Sequence, residues 1–420
     1  MISIRQALVR LSRVRPHLLV ESLPLSSAVG RTLAQAIPAP IDFPPFSRAA
    51  MDGYAVRAQD TQTPPVRLPV KGLVAAGQTL DHQLPETAVR IFTGAPLPVG
   101  ADAVIEQEAG QRDGDHVIIA RPVNAGRNVM PRGHQYVQGQ AVYQAGERLT
   151  HSHLGTLAGL GVETVPVYRP LRVAIVQTGN ELTPSGRALG PGRIYEVQAR
   201  WVPLLIADWG GTVTQVRRVG DDLDAICQAL ETVIPKADLV LTSGGISVGD
   251  YDYVARALEQ VADPLFWRVA MHPGKAVGAA RRDRTLILAL SGNPAAALTS
   301  WSVLAAPWWA AVHQGLLYDR RGRFPLRRAY PKPTRETRFL RVKWTFEGLD
   351  WDLPHSMDVL TDPWDSGYAL VPEGSPPLPE GTVLTYWQPS GLGGTQPLWH
   401  GTASGNWTFQ PPEEFGSESE

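Results

Sequence analysis

The sequence predicts a multidomain α/β protein: a central doubly wound α/β domain, an inserted β-rich module, a helical N-terminal region and a small C-terminal β domain. Three observations predict this. Across residues 171–320, apolar strand-like runs alternate with helix-length segments, the pattern of a parallel sheet covered by helices on both faces. Across residues 41–145, short β-rich runs are separated by Gly, Pro and Asp. Two loops, Ser243-Gly244-Gly245-Ile246-Ser247-Val248-Gly249 and Ser291-Gly292-Asn293-Pro294, each lie between an apolar run and a helical stretch. There they present backbone N–H groups and a helix N-terminus to an anion.

Taken in order, Ile4, Leu8, Leu11 and Val14 fall at helical spacing, which favours a packed helix over a targeting segment. Residues 151–160 also look helical, so residues 1–40 and 146–170 read as a helical linker and dimer region around the inserted module of residues 41–145. In that module, residues 66–70, 88–93, 103–105 and 116–120 are strand-like. The α/β domain places strands at 173–176, 212–219, 239–242, 265–270 and 285–290, and helices at 197–209, 223–233, 253–261 and 295–312. Residues 321–388 form short strands with proline punctuation, a C-terminal β domain. Residues 389–420, rich in Gly, Ser, Thr, Pro and Glu, read as a disordered tail.

At 420 residues the chain exceeds one core, and about two to four domains are expected. Lys+Arg is 39 against Asp+Glu 40, so no global basic charge points to nucleic acid. No apolar run reaches the roughly 18 residues of a membrane span. The single cysteine, Cys227, excludes an internal disulfide and reads as a small apolar residue on a helix. In an Arg-biased chain, Lys275 in His272-Pro273-Gly274-Lys275 stands out as a cation for a phosphate.

A divalent metal bridging phosphate oxygens needs hard carboxylates. Glu181, Asp221, Asp222, Asp250 and Asp252 all fall at the strand-end rim, where ligands bind in open α/β sheets. Asp222, ahead of a helix, is the better N-cap and Asp221 the better ligand; Asp250 can cap likewise. Ser243 and Ser247 either contact an anion or satisfy backbone groups. Pro294 restricts its turn rather than touching a ligand. Asp52-Gly53 alone reads as a tight turn. His151 and His153 do not share a helix face and do not form a metal site. The tryptophans Trp308, Trp309, Trp344, Trp351 and Trp364 read as packing residues.

Five pieces, Ala50-Met51-Asp52-Gly53-Tyr54-Ala55-Val56-Arg57, Thr93-Gly94-Ala95-Pro96-Leu97-Pro98, Thr178-Gly179-Asn180-Glu181-Leu182, the Ser243–Gly249 loop and Ser291-Gly292-Asn293-Pro294, follow one another in the order seen in molybdopterin molybdenumtransferases. The chain resembles that family, MoeA, which includes the gephyrin E domain, over residues 1–388, and its central domain resembles molybdopterin adenylyltransferase. The resemblance implies insertion of molybdate into adenylylated molybdopterin with release of AMP, supported by Mg2+. It implies Asp52, Thr93, Glu181, Asp221 and Asp252 as catalytic residues, with Glu181, Asp221 and Asp252 at the metal. Ser243, Gly244, Gly245, Ser247, Gly249, Lys275, Ser291, Gly292, Asn293 and Pro294 would bind the pterin phosphates, and Arg338, Arg341 and Ser356 an oxyanion.

The same resemblance implies a cytoplasmic homodimer in which Asp52 and Thr93 reach the partner's cleft. Molybdopterin adenylyltransferase and a molybdoenzyme or chaperone would be its contacts, with no nucleic acid and no membrane. The chain departs from the family pattern at His134, Gln135, Asn180, Gln198, His272 and Ser291. Two other readings use the same residues: adenylyl transfer, or a non-catalytic scaffold for molybdenum cofactor.

Overall fold

Ile4, Leu8 and Leu11 form the buried face of a helix, Ile4–Leu11, opened by a capping box between Ser3 and Gln6. In this computed structural model, which describes residues 1–81, 85–244, 253–313, 319–351, 367–389, 399–401 and 407–409, the rest of the N-terminal stretch is not α-helical as expected. Val20–Pro24 is extended, Leu25–Ser27 is a single 3-10 turn, and Thr32 and Leu33 bridge Arg148 and Val167. Prolines at 16 and 24 interrupt any helical run there. The chain divides into two units, one of Met1–Gln35, Ala145–Thr150 and Pro166–Glu420, the other of Ala36–Gln144 and His151–Val165.

In the first unit the α/β domain runs β1 (Arg172–Thr178), α1 (Gln198–Asp208), β2 (Thr212–Val219), α2 (Leu223–Val233), β3 (Leu239–Ser243), α3 (Tyr253–Val261), β4 (Asp263–Trp267), β5 (Gly278–Arg282) and β6 (Thr285–Leu290). The sheet order is β2-β1-β3-β6-β5-β4. The pairs of β1 with β2, β1 with β3 and β3 with β6 are parallel, whereas β5 is antiparallel to both β6 and β4. Buried on both faces, β3 and β6 are continuously apolar except at their ends. The antiparallel edge corrects the all-parallel expectation. β5 escaped sequence reading because Gly278-Ala279-Ala280 carries no β-branched side chain; a Cβ on Gly278 would come within 2.2 Å of the Trp267 ring, so packing demands the small residue.

β6 leads through Ser291-Gly292-Asn293 into a helical rod: Pro294–Ser300 is α-helical, Trp301–Ala305 a π turn, Ala306–Val312 α-helical again. Pro307 has no N–H to give the carbonyl four residues before it, and the ladder widens here, with the Ala306 N–H reaching Trp301 O. At 19 residues this is long and apolar enough to cross a membrane, contrary to the sequence expectation, yet 94% of it is buried inside the protein. Trp301, Trp308 and Trp309 sit in a core shared with the N-terminal helix, β1, β3 and β6, and the Trp308 indole N–H donates to Val14 O at 2.9 Å. Trp344 is 42% exposed and packs against the Phe324 and Phe346 rings.

The C-terminal sheet is ordered Met271–His272, Thr337–Thr345, Gly367–Val371, Val383–Pro389, Asp319–Pro325. Its first strand is lent by the α/β domain, His272 pairing with Arg338. Phe339, Tyr368, Leu370 and Trp387 pack from this sheet into the core that holds the helical rod. Trp364 and most of 389–420 lie outside the described residues. The second unit holds a six-stranded sheet whose order is Ala103–Glu106, Gly53–Val56, Ala88–Ile91, Val66–Val74, His116–Ile119, Gly110–Asp113, and a helix His151–Gly159.

Trp309 is fully buried amid Trp301, Trp308 and His313. Trp309→Ala should destabilise the protein by about 3–5 kcal/mol, measured as a fall in the denaturant midpoint; a midpoint unchanged from wild type would show that the rod is not the core's anchor.

Candidate active site

The loops after β1, β3 and β6 converge at the carboxyl edge of the sheet. The Thr178 hydroxyl donates to Ser243 O at 3.1 Å, and the Gly244 N–H donates to Leu290 O at 3.2 Å. Gly179 and Gly244 hold φ of 138° and 89°, a region that favours glycine. A Cβ on Gly244 would also press to 3.0 Å from the Thr178 hydroxyl and 3.1 Å from its carbonyl. Gly292 faces Gly244, the Cβ it lacks lying 3.6 Å from the Gly244 Cα. The Gly244 N–H is thus consumed internally and is not an open donor of the first loop. Gly245, Ser247, Gly249, Asp250 and Asp252 lie outside the described residues.

At the β6 loop, the Asn293 side chain accepts from Ala296 N–H at 3.1 Å as the N-cap, with Pro294 at the first helical position. The Asn293 N–H donates to Ser291 Oγ at 3.3 Å. Beneath the loop lies Gln198, buried at the first turn of α1, whose Nε2 donates to both Ser291 O and Gly292 O at 2.9 Å. Its Oε1 is buried without a partner, an arrangement that costs about 1–3 kcal/mol. Two residues earlier, the fully buried Glu196 carboxylate takes both forks of Arg218 on β2 at 2.6 Å, which fixes the segment entering α1. Sequence reading found Gln198 only as a departure and missed the Glu196–Arg218 pair; a lone acid in Ile194-Tyr195-Glu196-Val197 was the available signal.

The carboxylates behave unequally. Asp221 Oδ2 accepts from Asn180 N–H at 3.0 Å, and Asn180 Oδ1 accepts from Asp221 N–H at 3.3 Å, so the loops after β1 and β2 are cross-tied. Asp222 caps α2, accepting from Ala225 N–H at 2.8 Å, as its place ahead of a helix predicts. Glu181 is exposed on the β1 loop. Among the described residues no group of three His, Cys, Asp or Glu side chains is placed to hold a metal; the third acid expected there, Asp252, lies outside them. The chemistry of the remaining donors fits Mg2+, which is bound through one or two carboxylates plus phosphates and water.

Lys275 does not stand free: its ammonium is paired with the Glu336 carboxylate at the start of the C-terminal sheet. Gly274 packs against the helical rod, where a Cβ would meet Ser300 Oγ at 2.8 Å, and its φ of 100° suits only glycine. The His272 imidazole is held below its usual pKa by burial, with the nearby Arg338 charge adding to the effect. Arg338 lies over the Tyr330 ring at 5.4 Å and Arg341 is in register with Tyr368. Three residues apart on one strand, the two arginines face opposite sides of the sheet, so they do not converge on a single oxyanion. Ser356 lies outside the described residues.

In the second unit Asp52 and Thr93 meet directly. The Thr93 N–H and hydroxyl both donate to Asp52 Oδ1 at 2.7 Å. These bonds, the hydroxyl's first, hold the exposed Asp52 carboxyl below the usual carboxylate range. Gly53 is not in a positive-φ turn; it opens the strand Gly53–Val56, and a Cβ there would collide with Ile105 O at 1.8 Å. Close approach of two strands therefore explains the glycine. Sequence reading missed Arg90, which donates to Gly53 O at 2.8 Å and lies over the Tyr54 and Phe92 rings. His134 and Gln135 are both exposed in the same unit.

Comparison with known proteins places these geometries. Residues 2–161 match a family described as the MoeA N-terminal region, domains I and II, and residues 174–311 match one described as a probable molybdopterin binding domain. A molybdopterin molybdenumtransferase 2 of Mycobacterium tuberculosis is 38% identical over 298 residues, 68% of this chain and 73% of the relative. The molybdopterin molybdenumtransferase of Bacillus subtilis is 34% identical over 336 residues, 77% of each. The crystal structure of a molybdopterin biosynthesis moeA protein from Pyrococcus horikoshii superposes with a TM-score of 0.81 at 27% identity, covering 92% of this chain and 99% of that one.

The Asp52–Thr93 contact sets a pH test. Thr93→Val removes the hydroxyl bond but keeps the N–H bond, so the Asp52 pKa should rise towards the ordinary carboxylate range, read by carboxyl NMR titration. Because the folded pKa is depressed, the contact adds stability above the unfolded pKa that is lost as pH falls through the folded one; in the variant that loss should be smaller and complete at a higher pH. An unmoved titration would mean that the hydroxyl does not hold the carboxylate.

Proposed function

The chain belongs to the molybdopterin molybdenumtransferase family, and we propose that it inserts molybdate into adenylylated molybdopterin with release of AMP, forming molybdenum cofactor. The observation that carries this reading is the convergence of the β1, β3 and β6 loops at a helix start, with Gly292 exposed and its N–H bonded to no other described residue. Such a loop receives a phosphate, and molybdate, a tetrahedral dianion, makes similar demands.

In this reading the Ser291–Asn293 loop holds a pterin phosphate and Lys275 leaves Glu336 to meet it. Asp52, kept ionised by Thr93, orients the water that cleaves the anhydride, and AMP departs with the bridging oxygen. Glu181 and Asp221, with Asp252, would hold Mg2+, which supplies charge compensation at the phosphates. We further propose a cytoplasmic homodimer in which Asp52 and Thr93 serve the partner's cleft. A molybdopterin adenylyltransferase would supply the substrate, and a molybdoenzyme or its chaperone would accept the product. Neither nucleic acid nor membrane takes part.

Incubation with adenylylated molybdopterin, molybdate and Mg2+ should release AMP only when molybdate is present. ATP consumption would instead indicate adenylyl transfer, and binding without turnover a scaffold. Asp52→Ala should lower turnover by about 100-fold or more while the protein keeps the circular dichroism spectrum of the folded wild type. Mixing Asp52→Ala with Lys275→Ala protein should restore turnover if the two residues act across subunits; no restoration would overturn that arrangement.

A further inference from the structure

We propose that Gln198 is a positioning residue of the phosphate loop: by holding two consecutive carbonyls inward it keeps the Gly292 N–H turned outward for a ligand anion. The proposal rests on the reading of this loop as an anion site. In a trans peptide the carbonyl and the following N–H point in opposite directions. Gln198 Nε2 draws the carbonyls of Ser291 and Gly292 to 2.9 Å each, so the N–H groups of Gly292 and Asn293 must point away from it. The Asn293 N–H is taken up by Ser291 Oγ. Among the described residues no bond uses the Gly292 N–H, and Gly292 is exposed.

The orientation of the amide is not free to reverse. A flipped Gln198 would set Oε1 against two carbonyl oxygens, acceptor to acceptor. The side chain instead leaves Oε1 buried and without a partner, and an unmet acceptor kept in a folded protein calls for an explanation. Holding the loop supplies one. Gln198 is itself fixed from behind, since Glu196 and Arg218 clamp the chain two residues earlier. Gln198 touches neither the phosphate nor the reacting atoms in this arrangement; it acts through the peptide planes.

Inorganic pyrophosphate, titrated calorimetrically into the full chain, tests this without turnover. Gln198→Leu should weaken binding about tenfold, the scale of one hydrogen bond to a charged group, and Gln198→Glu more, because a carboxylate repels both carbonyls. Gln198→Asn, with an amide on a shorter arm, should fall between Leu and wild type. In the AMP-release assay the KM for adenylylated molybdopterin should rise while kcat stays within about threefold. A purely structural role would lower the melting temperature of Gln198→Leu and leave pyrophosphate affinity at the wild-type value, which overturns the proposal; so would a fall in kcat at constant KM. If Gln198→Leu fails to fold, the Asn and Glu variants decide through their relative affinities. Absence of turnover in wild type would sink the functional reading alone, since the pyrophosphate titration still judges Gln198.

Discussion

The burial of one apolar helical rod, Pro294–Val312, governs the rest of the first unit. Its tryptophans and alanines are enclosed by the N-terminal helix, by β1, β3 and β6, and by Phe339, Tyr368 and Trp387 of the C-terminal sheet. Three parts of the sequence therefore share a single core and cannot be repacked independently. The same rod begins at Asn293-Pro294, so the loop before it is anchored to the buried core. Even its one irregularity, the π turn ahead of Pro307, lies inside the core, where the wider turn lets the Ala306 N–H reach Trp301 O.

Around that anchor, backbone geometry is set by glycines and amides rather than by charged groups. Gly244 is pressed against Thr178, Gly274 against Ser300, and Gly53 against Ile105; at each, a Cβ would push a loop or strand off its neighbour. Carbonyl and N–H groups freed by these turns are met locally, by Thr178, Leu290, Asn180 and Gln198. Among the described residues the Gly292 N–H is left unmet, which sets it apart from the neighbouring amides of Gly244 and Asn293.

Much of the α/β domain was legible because buried parallel strands read as apolar runs and its helices carry strong periodicity. The N-cap role of Asp222 followed from position alone. The strand Gly278–Arg282 was not legible, since its small residues answer to the Trp267 ring across the sheet. The strand at Gly53 was read as a turn, since Asp-Gly favours one and the approach of Ile105 is invisible in sequence. Within the candidate site, the pairing of Asp52 with Thr93 came only from resemblance, never from spacing. Arg338 and Arg341 were likewise named by resemblance alone, and strand alternation sets them on opposite faces of the sheet.

The charged groups of the first unit divide by whether they can change partners. Glu196 has no exposed side-chain surface and holds Arg218 through two short bonds; parting them would leave a buried carboxylate alone, which is strongly unfavourable. Lys275 and Glu336 are 48% and 17% exposed, and a pair so wetted contributes about 0–1 kcal/mol. Lys275 can therefore exchange its carboxylate partner at little cost, while the Glu196–Arg218 clamp two residues before Gln198 stays closed. Exchangeable charge lies at the start of the C-terminal sheet and fixed charge lies behind the Ser291–Asn293 loop, so a change of partner at Lys275 need not part the pair that fixes the entry to α1.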